Sequence, residues 1–163
     1  MNGFILVDKE TGISSNSIVQ SVKRKLKVKK VGHLGTLDPL ANGLLILAIN
    51  RATKFSSYFL ESDKSYDVEI KLGIATDTDD STGTIIHESK NYPESESVKK
   101  ELFSFMGESM QVPPFFSALK HKGKALYKYA REGNFISKPP RKIFISKIEK
   151  FNYKNKILSL IHI

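Results

Sequence analysis

Gly32-His33-Leu34-Gly35-Thr36-Leu37-Asp38-Pro39-Leu40-Ala41-Asn42-Gly43 is the stretch on which the reading of this chain turns. Gly32, Gly35, Pro39 and Gly43 forbid a regular element across it, so it reads as an irregular loop. It separates two patterns of different period. Downstream, residues 44–49 are wholly apolar and read as a buried strand. Upstream, Ile18, Val19, Val22 and Leu26 recur at helical spacing after the N-cap candidates Ser14 to Ser17. Before that helix, residues 4–8 form a short apolar strand followed by a turn around Gly12. Strands and helices mixed without a regular βαβ rhythm favour the α+β class.

Further along, residues 51–60 read as a helix with Ala52, Phe55 and Phe59 on one face. Residues 66–72 alternate, with Tyr66, Val68, Ile70 and Leu72 in phase and Asp67, Glu69 and Lys71 opposite. Residues 84–88 are expected to add a second strand to the same sheet. Val98, Leu102, Phe105 and Met106 mark a helix that Gly107 ends. An irregular stretch starts at 112–114, and residues 125–131 form a short helix closed by Gly133. Residues 143–151 and 157–163 read as two strands joined by a turn at 152–155. There is no repeat, linker or low-complexity tract, so 1–163 is one continuous domain. Residues 157–163 run apolar to the last position, where natural termini are usually polar. That predicts a piece of a longer protein.

The 163 residues are 40% hydrophobic and 26% charged, which excludes disordered and fibrous classes. The longest apolar run is 44–49, against about 20 residues for a membrane span. No secretory signal is visible, and the absence of cysteine removes disulfides, zinc–thiolate sites and thiol nucleophiles. A cytoplasmic, soluble protein without structural metal is expected. The net charge of +9 points to a polyanionic partner, of which nucleic acid is the commonest. Two segments concentrate it. Residues 23–30 carry Lys23, Arg24, Lys25, Lys27, Lys29 and Lys30, which suit a helix end complementing its macrodipole or a phosphate backbone. Residues 115–142 interleave Lys120, His121, Lys122, Lys124, Lys128, Arg131, Lys138, Arg141 and Lys142 with Phe115, Phe116, Tyr127 and Tyr129. Cations over phosphates and aromatics under bases are the ingredients of RNA-loop recognition.

Within the opening stretch, Asp38 and His33 are the ionisable side chains. Pro39 biases Asp38 out of the helical region, and its neighbours Leu37, Pro39 and Leu40 predict partial desolvation. A lone, well-held carboxylate suits a nucleophile or general base. The same spacing also allows a plain Asp-Pro turn. No P-loop, dinucleotide-binding, HExxH or GxSxG pattern occurs. Residues 76–83, with Asp77, Asp79 and Asp80, resemble a calcium loop in part. The glycine is one place late and the flanks read as strands, so an acidic hairpin-like turn is the better account.

The motif from Gly32 to Ala41, continued by Gly43-Leu44-Leu45, resembles the catalytic-aspartate motif of the TruB family of pseudouridine synthases. Leu6-Val7-Asp8-Lys9 with Gly12 and Ser14-Ser15 is similar to the family's N-terminal motif. Asp63-Lys64-Ser65-Tyr66, Leu72-Gly73 and Thr76-Asp77-Thr78-Asp79 follow in order. Pro113, Phe116-Ser117-Ala118-Leu119-Lys120, Gly123-Lys124 and Leu126-Tyr127 resemble the family's RNA-gripping thumb insertion, placed at 113–142.

The resemblance covers the whole chain. It implies a pseudouridine synthase fold, a mixed, largely antiparallel sheet with flanking helices and a basic thumb, here only in part. The implied activity is isomerisation of uridine 55 in the T loop of tRNA, without metal or organic cofactor. Asp38 would drive glycosidic cleavage, by attack on uracil C6, on ribose C1′, or by assisting proton loss at C2′. Tyr66 would stack on the flipped uracil and is a candidate for handling its C5 proton. His33, Lys9, Lys64, Lys120, Lys122, Lys124, Tyr127 and Arg131 would contact RNA. The partner is the T-arm stem-loop, bound by a monomer. Glu10 stands where the family usually has proline, and Asn42 where it has Thr or Ser. The family continues into a segment whose arginine pairs with the aspartate and into a PUA-type domain, which this sequence does not contain. Weak or no activity of this chain is therefore expected, and the alternative is a non-catalytic RNA-binding or tRNA-folding module.

Overall fold

A computed structural model describes residues 1–162, so Ile163, the last position of the expected terminal strand, lies outside the described residues. The chain divides into two compact units, residues 1–63 and 64–163.

In the first unit β1 (Gly3–Lys9) leads to α1 (Ser15–Leu26), β2 (Val31–His33) and β3 (Gly43–Ile49). A six-residue 3-10 turn (Asn50–Phe55) and α2 (Ser56–Leu60) follow. The sheet order is β1-β3-β2, antiparallel throughout. The wholly apolar β3 is the central strand, paired with β1 on one side and β2 on the other; Leu45, Leu47, Ala48 and Ile49 are buried, while Leu44 near its start is exposed. The α1 stripe closes one core, with Val19 packed on Leu45 and Leu47 and flanked by Ile18 and Val22. Leu34, Ala48 and Ala52 form another, supported by Phe59. Ser14 caps α1 as expected, accepting from the Ser17 amide at 3.1 Å. The helix expected at 51–60 opens instead as a 3-10 turn, and Phe55 is 53% exposed. The register changes within the segment, so the three residues no longer share a stripe.

In the second unit the elements are β4 (Tyr66–Lys71), β5 (Ile74–Thr76), β6 (Ile85–Glu88), α3 (Ser95–Ser104) and β7 (Gly107–Gln111). Then come β8 (Lys120–His121), β9 (Lys124–Ala125), α4 (Leu126–Arg131), β10 (Arg141–Ile145), β11 (Ile148–Lys154) and β12 (Ile157–His162). The main sheet has the order β11-β12-β4. Val98 of α3 packs with Ile148, Leu158 and Leu160 on its face. The turn of the β11–β12 hairpin is Asn155-Lys156, both at positive φ, which suits the twist of the strands it joins.

The α+β class holds, and every strand pair among the described residues is antiparallel. Two strand expectations need correction. Residues 85–88 pair with β5 and not with β4, whose partner is β12. Residues 143–151 are two strands, β10 on β7 and β11 on β12.

The acidic turn between β5 and β6 is held by its own carboxylates. Asp77 Oδ1 accepts from the Thr84 amide at 2.8 Å. Asp80 Oδ1 accepts from the Thr78 hydroxyl at 2.9 Å, the Thr82 amide at 2.8 Å and the Thr82 hydroxyl at 2.6 Å. Partial desolvation pushes the Asp80 carboxyl up, but the Thr82 and Thr78 hydrogen bonds outweigh it and leave it below its ordinary value. A depressed folded value means the turn's stabilisation is complete above the unfolded value of 3.8 and is lost as pH falls through the folded value. The Thr82 amide resonance is therefore expected to keep its downfield shift to below pH 3.8 and then collapse. An NMR titration of that resonance checks this.

Candidate functional site

The first unit builds the loop of Asp38 by pinning the residues on either side of it. Leu34 anchors its entry: the side chain is buried, and its amide donates to the Ile46 carbonyl at 2.8 Å. Ser15, at the start of α1, bonds Leu37 twice. Its hydroxyl donates to the Leu37 carbonyl at 2.7 Å and accepts from the Leu37 amide at 3.0 Å. Pro39 is held by the Gly12 amide, which reaches its carbonyl at 2.7 Å. Gly12 has a φ of 89°, a conformation open to glycine and strained for other residues. Between these pins the Ala41 amide donates to the Asp38 carbonyl at 3.0 Å, closing a turn with Pro39 at its second position. Asp38 itself is exposed. The desolvation expected from its apolar neighbours does not occur, because the turn carries the side chain clear of them.

Lys9 is the larger correction. Expected to contact RNA, it is 0% exposed. Its ammonium donates to the carbonyls of Ile13 at 2.8 Å, Glu10 at 3.0 Å and Pro39 at 3.4 Å. Three donors with three acceptors leave nothing for a phosphate. Lys9 instead fastens the β1–α1 loop to the loop of Asp38. His33 ends β2, half-buried, and its Nδ1 is buried without a hydrogen-bond partner.

In the second unit Tyr66 opens β4, 44% exposed, opposite His162 in the register. Its ring centroid lies 5.3 Å from that imidazole, tilted by 32°. Lys64, half-buried, stands two residues before it. The segment expected as a thumb is a small hairpin, β8 and β9 around Lys122-Gly123, running into α4. Leu126 and Ala130 bury the inner face of α4, and the Tyr127 amide holds the Ser117 carbonyl at 3.0 Å. Ser117 Oγ is buried without a partner.

The thumb cations are not equivalent. Lys124 pairs with Glu132 and lies 4.6 Å from the Tyr129 ring centroid. Lys142 pairs with Glu108 at 2.8 Å, and Arg141 donates to Gln111. Arg131 stacks over Tyr127 one turn before it, at 5.4 Å. Lys120 and Lys122 are exposed with no carboxylate partner among the described residues. The Lys138 ammonium lies 3.4 Å from His121 Nδ1. No group of three or more His, Asp or Glu side chains is placed to hold a metal among the described residues.

Comparison with known proteins adds to this geometry. Residues 23–163 match the family model described as TruB family pseudouridylate synthase (N terminal domain). The tRNA pseudouridine synthase B of Blochmanniella floridana is 44% identical over 160 residues, covering 98% of this chain and 63% of that protein. The protein of the same name from Histophilus somni (strain 2336) is 46% identical, with 98% and 52% covered. The chain thus spans between about half and under two thirds of the relatives it matches. Among solved structures, a Cbf5-Nop10-Gar1 complex is similar with a TM-score of 0.70 at 24% identity, covering 98% of this chain and 38% of that one. An H/ACA RNP bound to a substrate RNA containing 2'-deoxyuridine gives 0.66 at 21%, with 98% and 37% covered. At these identities the likeness speaks for the fold.

Proposed function

This chain belongs to the TruB family of pseudouridylate synthases, and from that premise we propose that it converts uridine 55 in the T loop of tRNA to pseudouridine, with Asp38 as the catalytic carboxylate. The observation that carries the reading is the pinned turn. Asp38 is exposed to a substrate while the residues on both sides of it are fixed by Ser15, Gly12 and Lys9. Catalysis by a single carboxylate needs that combination of access and fixed geometry.

In the reaction the N1–C1′ bond breaks, the uracil turns, and a C5–C1′ bond forms. The C5 proton leaves and N1 gains one, so the product is an isomer and no co-reactant is consumed. Asp38 acts at uracil C6, at ribose C1′, or on the C2′ proton. The target base must leave its stack, at a cost of a few kcal/mol. Tyr66, exposed at the start of β4, supplies a π-face against which the extruded base recovers part of that cost. Lys120 and Lys122 contribute phosphate contacts, and Arg131 and Tyr127 a stacked cation. The family resemblance assigns His33 a contact with the RNA loop; its half-buried ring would make that contact through an atom other than the buried Nδ1.

The test is a tRNA transcript carrying tritium at uridine C5. Release of label by this chain, with pseudouridine appearing at position 55 alone, is the expected result. RNA binding without release would favour the non-catalytic module instead.

A further inference from the structure

We infer that the basic end of α1 and the segment after it form a second RNA-binding surface, which grips the phosphate backbone of a helical RNA segment outside the loop that holds the target uridine. The inference rests on the RNA substrate proposed above and extends it to a part of the first unit that chemistry at Asp38 does not use.

Lys23, Arg24, Lys25, Lys27, Lys29 and Lys30 are all exposed. None of them forms an ion pair among the described residues. No carboxylate occurs between Glu10 and Asp38, a run that includes the whole of α1. Complementing the helix dipole accounts for Lys23, Arg24 and Lys25 in the last turn. It does not account for Lys29 and Lys30, which lie past the helix end, where the dipole effect has faded and mutual repulsion remains.

The segment is also ordered, where a like-charged run of this kind commonly is not. Lys27 takes the left-handed conformation at φ 51° and its amide donates to the Arg24 carbonyl at 3.2 Å. The Val28 amide donates to Lys23 at 3.3 Å. Lys30 is fixed from both sides: its amide donates to Asn50 Oδ1 at 3.0 Å, and its carbonyl accepts from the Asn50 amide at 2.9 Å. Six unneutralised cations are therefore displayed along a short segment whose backbone is held by its own hydrogen bonds and by Asn50. A fixed array of positive charge fits a regularly spaced array of negative charge, as on a nucleic-acid helix. An anionic bilayer fits less well, because a surface-lying helix needs a free apolar face. The apolar stripe of α1 is already spent on Leu45 and Leu47.

Two variants decide it. One replaces Lys23, Lys25 and Lys29 with Gln, which keeps helix propensity and removes three charges. The other removes three exposed lysines elsewhere, Lys90, Lys99 and Lys100. Affinity is measured against salt for a full-length tRNA transcript and for the minimal T-loop hairpin, alongside label release from both. Each helical phosphate contact contributes about 0.9 to the slope of log affinity on log salt. The patch variant is expected to flatten the full-length slope by roughly 2–3 and leave the hairpin slope and turnover at saturating RNA unchanged. An equal flattening by the control variant, an equal effect on the hairpin, or no change in slope would each overturn the inference. Loss of turnover in the Asp38→Asn protein, in contrast, bears on the proposed reaction alone.

Discussion

Asp38→Asn is expected to abolish label release from C5-tritiated tRNA while leaving RNA affinity within about threefold, as for an exposed substitution worth under roughly 0.5 kcal/mol. Asn keeps the size and shape of the side chain. The pins on the turn come from Ser15, Gly12 and Lys9 to the backbone of Leu37 and Pro39, so they survive the change. The chemistry alone is removed. How far the rate falls then identifies the role. Loss of a general base costs on the order of 10²–10⁴, whereas loss of a covalent nucleophile approaches about 10⁶. A fall near the lower bound would favour proton abstraction at C2′, and a fall to background would favour attack on C6 or C1′. An Asn variant that releases label at the parental rate would remove Asp38 from the reaction and leave the RNA-binding module standing. A smaller effect is expected from Ser15→Ala. It strips both bonds to Leu37 but leaves Pro39 held, so turnover should fall while the affinity for RNA does not.

Much of the first unit was legible because its signals are local. The all-apolar 44–49 run, the helical stripe Ile18, Val19, Val22 and Leu26, and the Ser14 cap each specify one element with little help from the rest of the chain. The second unit was less so, for three physical reasons. The strand β7, Gly107–Gln111, carries Glu108, Ser109 and Gln111 and has no apolar alternation; β10 supplies its ladder. The break between β10 and β11 is written only as a phase slip, since Ile143 and Ile145 are followed by Ile148 and not by an apolar residue at 147. The strand β5 is three residues long, too short to show a period, so β6 had no visible partner but β4. At the site, sequence motifs located Asp38, but not that it is exposed. Lys9 was misread because a lysine is almost never fully buried, and nothing local announces three carbonyls converging on its ammonium.

Lys9→Met should therefore do more damage than the remoteness of Lys9 from Asp38 in sequence would suggest, since its ammonium reaches the carbonyl of Pro39, the next residue after Asp38, at 3.4 Å. Methionine keeps the apolar stem and most of the volume, so packing around the 0%-exposed side chain changes little. The hydrogen bonds are what is lost. The Pro39 carbonyl keeps its bond from Gly12, but the carbonyls of Glu10 and Ile13 lose their partner. Glu10 and Ile13 are exposed residues, so water takes up part of each lost bond, and each then costs about 0.5–1.5 kcal/mol. Removing the buried charge returns part of its desolvation penalty, so a net loss of about 1–2 kcal/mol is expected in a urea titration. Activity should suffer beyond that loss. With one of its two fastenings to Pro39 gone, the turn gains freedom at Asp38, and for the carboxylate role proposed above a displacement of about 1 Å is worth roughly 10²-fold in rate. Turnover measured well below the unfolding midpoint separates the two effects, because the protein is then still folded. Lys9→Arg keeps the charge but brings a larger, planar group into a site with no spare volume, and it should fail to restore either quantity. A Met variant with the parental urea midpoint and the parental turnover would show that the ammonium does not hold the two loops together.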